Sequence, residues 1–325
     1  RWANLFVDAI TATDQVTATG FTGTLDGILG SGAPASASVT TLTVNGDITT
    51  TTSGTSNFVA GVNAGNSIAS GGNYNVAIGD NAGTGITTGD TNIAIGWSAL
   101  YTATTSSNNV AIGADAMYAN TTGASNVAIG KGSLDANTTG AENVAVGQAA
   151  LGANTTASYN TAIGSGALDA NTTGYSNNAI GQGVLGANTT GAGNTAVGGY
   201  ITSVRNAAMA ANTTGYWNVA MGGGAFTANT TGHSSVAIGF GALGANTTAA
   251  NGVAIGAYAL DANTTGASNT ALGFAALTTN TTGASNVAVG LNALNYNTTA
   301  SQNTAVGVNA LLTNTTGAQN SAVGT

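Results

Sequence analysis

A parallel β-solenoid of 17-residue coils is the all-β fold class that this sequence predicts over residues 57–325, and three observations predict it. The pattern Asn-x-Ala-Ile/Val-Gly recurs with its glycine at 79, 96, 113, 130, 147, 164, 181 and 198, and again at 222, 239, 256, 273, 290, 307 and 324. Fixed self-similarity at this period is the signature of stacked coils. Fifty glycines and one proline stand among the 325 residues, so the backbone turns often; a helical protein would lose roughly 1 kcal/mol at each interior glycine. Only 4% of residues are charged while 42% are hydrophobic, and the aliphatic residues keep fixed places in the repeat, which supplies the buried area that disordered chains lack.

The elements follow in chain order. Residues 1–56 lack the period but alternate in stretches such as Val39 to Ile48, with a turn signal at Asn45-Gly46, and read as a β-rich shaft or linker. Asn57 to Gly61 reads as a degenerate first coil. The single irregular step, from Gly198 to Gly222, is one period plus seven residues and places an inserted loop at 199–207, with the register kept afterwards. The chain stops at Gly324-Thr325 in mid-repeat, as a piece of a longer protein would, and its first residues lack the basic start and apolar core of a signal peptide.

Within a coil, the residue before the anchor glycine is always aliphatic or Met, and the one before that is always Ala. Leu, Met or Phe follows four residues after the glycine, as at Leu100, Met117 and Phe226, and then comes Asn-Thr-Thr in twelve copies. Each period therefore reads as two short strands separated by turns. Alternation sends the Val and Ile positions to one face and Ala to the other. The expected interior is the first of these: Ile78, Ile95, Ile112, Ile129, Ile163, Ile238 and Ile255, with Leu134, Leu151, Leu168, Leu243 and Leu260 from the second strand. The uniformly small column of Ala77, Ala94, Ala111, Ala128, Ala145 and Ala162 is then expected to be where other copies approach, in a homotrimer packed along a common axis. A lone solenoid with an exposed alanine face is the alternative.

Several partners are excluded by composition. The net charge is -8 and the cations are Arg1, Lys131 and Arg205, so there is no basic footprint for nucleic acid. No run of about 18 apolar residues suggests membrane insertion. There is no cysteine, and His233 is the one histidine; no cofactor, metal cluster or His-dependent triad is expected within one chain.

Asn126-Val-Ala-Ile-Gly130 resembles the core motif of trimeric autotransporter adhesin heads of the YadA type, which are trimeric left-handed parallel β-rolls. The longer unit from Asn160 to Gly174 resembles the repeats of bacteriophage tail fibres, and the segment from Arg1 to Gly23 resembles their shaft segments. The resemblance implies a homotrimeric fibre, located on a virion or at a cell surface. It implies attachment to a host surface glycan or protein receptor, without catalysis. A bacterial surface adhesin or filament, and a polysaccharide-cleaving tailspike, are the other readings.

Three candidate chemistries meet simpler explanations. The twelve Asn-Thr-Thr copies match a glycosylation sequon, but their place in the repeat predicts polar ladders between coils. Repeated threonine suggests ice binding, yet adjacent threonines point to opposite sides, leaving one column. Asp135, Asp169 and Asp261 are equivalent, and the first two, about 9.6 Å apart by coil spacing, lie near the separation of an inverting glycosidase pair. Nothing in their surroundings predicts a raised pKa. For binding, the insertion with Tyr200 and Arg205, beside Tyr216 and Trp217, offers surface without core. Trp97, Phe240, Tyr258 and Phe274 vary just after anchor glycines.

Overall fold

The computed structural model describes residues 52–199 and 207–324. Sixteen strands of three residues each, from β1 (Phe58–Ala60) to β16 (Ser321–Val323), form one sheet in strict chain order. All pairings are parallel, and equivalent residues face one another, as Val110, Ala111 and Ile112 face Val127, Ala128 and Ile129. No helix occurs among the described residues, so none there could cross a membrane. The first coil is present, with Phe58 paired to Val76. The shaft expected over residues 1–56 lies outside the described residues except for its last five.

Register survives the insertion: Thr195, Ala196 and Val197 pair with Val219, Ala220 and Met221. Ala208 donates its N–H to the Gly198 carbonyl at 2.9 Å, the bond that Ala225 makes to Gly222 in an uninterrupted coil.

The two faces of the sheet are reversed from the sequence expectation. Ala77, Ala94, Ala111, Ala128, Ala145 and Ala162 are completely buried within the single chain, where they pack with Leu134, Leu151, Leu168, Leu243 and Leu260. They are core, not a surface on which another copy could lie. Conversely Ile78, Ile129, Ile163 and Ile255 are more than a third exposed, and Ile95, Ile112 and Ile238 are only partly covered. Alternation was right and its direction wrong. The coil is narrow: the leucine limb comes so near the strand that a methyl group fills the gap, and a branched side chain would force the layers apart.

Among the described residues the second strand of each coil is also absent. Its place is taken by turns in which the leucines adopt a left-handed backbone, φ 53° at Leu134 and 52° at Leu151. Such a conformation in a non-glycine residue costs roughly 1–2 kcal/mol. It persists because the leucine side chain is fully buried and its N–H still bonds to the next coil, Leu134 to the Ala150 carbonyl at 2.9 Å. The anchor glycine is required twice over. Gly130 has φ 130°, and a Cβ there would lie 2.6 Å from the Gly147 carbonyl oxygen in the adjacent coil.

Buried amides tie the coils together. Asn126 Nδ2 donates to Asn109 Oδ1 at 3.2 Å and to the Gly140 carbonyl at 2.9 Å. Its own Oδ1 accepts from the Asn143 backbone N–H at 2.9 Å and from Asn143 Nδ2 at 3.1 Å. A second column runs through the Asn-Thr-Thr segments: Asn137 Nδ2 donates to Asn120 Oδ1 at 2.8 Å and to the same Gly140 carbonyl at 2.9 Å. Ladders of this kind make a buried polar group tolerable because its hydrogen bonds are satisfied; in the first column Asn303 Nδ2 is an exception, buried with no partner. The first column changes at Ser235 and Gly252, where the serine hydroxyl takes over and accepts the Gly252 N–H at 3.1 Å.

Candidate functional site: an aromatic corner

Just before each strand the chain turns a corner through two exposed or half-exposed residues, six and five positions ahead of the anchor glycine. Backbone bonds fix this corner from coil to coil: Gly193 N–H to the Tyr175 carbonyl, Trp217 N–H to the Ala192 carbonyl and Ser234 N–H to the Tyr216 carbonyl, at 3.0 Å each. Residues at one repeat position are therefore held face to face across neighbouring coils, about 4.8 Å apart.

Aromatic side chains collect here. Tyr216 stacks on His233 of the next coil with ring centres 4.6 Å apart and planes 5° from parallel. Trp217 stands edge-on to Tyr216 at 5.0 Å and 85°. Trp217 is 67% exposed, yet its pyrrole edge leans on the preceding coil: a Cβ on Gly193 would lie 2.5 Å from its Cδ1 and 3.1 Å from its Nε1. Tyr175 and Tyr159 lie one and two coils beyond Gly193 in the same corner, both well exposed. The Tyr216 and Trp217 expected from the sequence thus do form a surface, joined by His233, Tyr175 and Gly193, which sequence reasoning passed over. Register was the available signal, since Tyr175, Tyr216 and His233 all stand six residues before an anchor glycine. Tyr200 and Arg205 lie outside the described residues.

Elsewhere, aromatic rings of neighbouring coils also meet. Tyr101 and Tyr118, each five after an anchor glycine, lie parallel at 5.0 Å. Phe240, Tyr258 and Phe274 make successive edge-on contacts at 5.5 and 6.0 Å.

The Asn-Thr-Thr segments are ladders. Their asparagines are fully or almost fully buried from Asn120 to Asn297 and their amides are engaged between coils. The first threonine donates its hydroxyl to the next coil, Thr138 to the Thr155 carbonyl at 3.1 Å, while the second, as at Thr139, is exposed. A buried, doubly bonded amide is not offered as a glycosylation acceptor in this fold.

Asp135 departs from expectation. Its carboxyl is pushed above the ordinary value, first by burial and then by the nearby Asp115 carboxylate. Among the described residues no three His, Asp or Glu side chains converge where a metal ion could sit. No protein-family model matches the chain, and no curated protein or solved structure matches it either.

Proposed function

We propose that the chain is a structural and adhesive segment of an extracellular or virion fibre, most simply a tail fibre that extends toward a host cell and helps hold it. In this reading it assembles as a homotrimer and works mechanically, without catalysis. The observation that carries the proposal is the outward column just before the anchor glycine. It is Ile, Val, Leu or Met in all fifteen repeats, and Ile129, Ile180, Met221 and Leu272 are 38%, 42%, 42% and 45% exposed in the single chain. Fifteen coils at about 4.8 Å give an apolar stripe about 70 Å long, and stripes of that extent on a soluble surface mark contacts.

The neighbouring outward column, two residues earlier, accepts Thr161, Asn178, Thr195 and Ser321. Solvent thus suits one column and not the other. A second copy with the same repeat would match the stripe coil for coil, and the resemblance to trimeric heads and fibres supplies the number three. The trimer contact therefore moves from the alanines to the outward aliphatic residues. The low charge is consistent with a rod whose assembly does not depend on ion pairs.

Sedimentation equilibrium of the chain tests this. The expected species has about three times the 31.0 kDa chain mass and is insensitive to salt. A folded monomer at micromolar concentration would overturn the assembly and with it the fibre reading.

A further inference from the structure

We infer that the aromatic corner formed by Tyr175, Tyr216, Trp217 and His233 is a binding site for a neutral polysaccharide strand lying along the rod. The inference takes its biological setting from the fibre reading above, and its test is independent of the oligomeric state.

Four features point to that class of ligand. First, three of the four aromatic rings are held and not merely exposed. His233 and Tyr216 brace each other in a parallel stack at 4.6 Å, and the indole of Trp217 is fixed between the Tyr216 ring and the Gly193 backbone. A platform already ordered loses little rotamer entropy on binding. Second, Gly193 leaves the space that Trp217 occupies. Any side chain there would collide with the indole, so the ring lies against the Gly193 backbone of the preceding coil.

Third, the corner is uncharged. At its two positions from Ser158 to Asn251 the sequence places no Asp, Glu, Lys or Arg, so neither an acidic polymer nor a basic peptide finds a counter-charge. What it presents is apolar ring faces with polar tips, the phenol hydroxyls, the imidazole and the indole N–H. The exposed threonines Thr190, Thr214 and Thr231 close the preceding turn in the same coils. A sugar ring is the matching ligand: its axial C–H face packs on an aromatic face while its hydroxyls reach the polar edges. Fourth, the aromatic residues follow the rod axis at coil steps of about 4.8 Å, close to the advance of one hexose in an extended glycan, and the one intervening corner without an aromatic residue, Ala192-Gly193, is where the Trp217 indole leans. A flat protein partner would instead need a patch of about 800 Å² on this side, whereas the corner is a narrow ridge.

Affinity electrophoresis of the full chain is the test, with gels containing hydroxyethyl cellulose, galactomannan, mannan or dextran, and dextran sulfate as the anionic probe. Expected is retardation by at least one neutral polymer, unchanged up to about 0.5 M salt. Trp217→Ala should weaken it about tenfold, the scale of losing one aromatic contact, and Tyr175→Ala should weaken it less. Trp97→Ala, at another well-exposed tryptophan far along the rod, should leave it unchanged, and all three variants should keep the parent melting curve. Retardation by dextran sulfate alone, none by any neutral polymer, or equal retardation of Trp217→Ala and parent would overturn the inference. If the fibre reading failed through a monomeric mass, neutral-polymer binding lost in Trp217→Ala would still uphold this site.

Discussion

The inward and outward faces of the one sheet obey different rules. Inward, all fifteen positions from Ala77 to Ala322 are alanine, and those between Ala77 and Ala305 are wholly buried. Outward, the column before the anchor glycine varies among Ile, Val, Leu and Met, while the column two residues earlier accepts Thr, Asn and Ser as well. Fixed volume is the mark of a narrow interior; fixed polarity with free volume is the mark of a surface covered by something adaptable. Uniform smallness therefore records closeness inside the chain, and uniform apolarity is the pattern that the proposed contact between copies would need.

The largest effect expected from breaking this contrast comes from inside. Ala128→Leu should lower stability by about 3 kcal/mol or more, because the added carbons meet a packed leucine limb that cannot recede. The same change outside, Val127→Leu, should alter stability by under about 0.5 kcal/mol, and chemical denaturation of both variants checks the pair. Next in size is the amide column. Asn143→Ala deprives the Ala157 carbonyl and Asn126 Oδ1 of the bonds that the Asn143 amide donates, at a cost of about 1–3 kcal/mol. Equal stability to the parent would show that water replaces the ladder.

The smallest effect is electrostatic. Because the Asp135 carboxyl titrates above its ordinary value, folding favours its protonated form, so its contribution is favourable below the unfolded value and is lost as pH rises through the folded one. Asp135→Asn should therefore melt slightly higher than the parent at neutral pH. The difference should vanish near pH 3, where the carboxyl is protonated in both states. A gap that widened toward low pH would contradict the sign.

Much of this was legible in the sequence. The anchor glycines located every strand from Val76–Ile78 onward, the 24-residue step announced an insertion that keeps register, and the place of Asn-Thr-Thr in the repeat foretold the ladder. The direction of the strand was not legible, since alternation is symmetric and only the distance to the opposite limb decides which side is interior. Nor were the left-handed leucines, because propensity assigns Leu to extended or helical backbone and only burial holds Leu134 at φ 53°. His233 drew notice only as the one histidine, although its register with Tyr216 already placed the two rings together.

The measurement that tests the central claim most directly is the solution mass and circular dichroism of the double variant Ile129→Asp/Ile163→Asp. Both residues face outward, 38% and 39% exposed in the single chain, so the account predicts a folded β-rich monomer from a trimeric parent. Loss of the β spectrum, or a variant that remains trimeric, would contradict it.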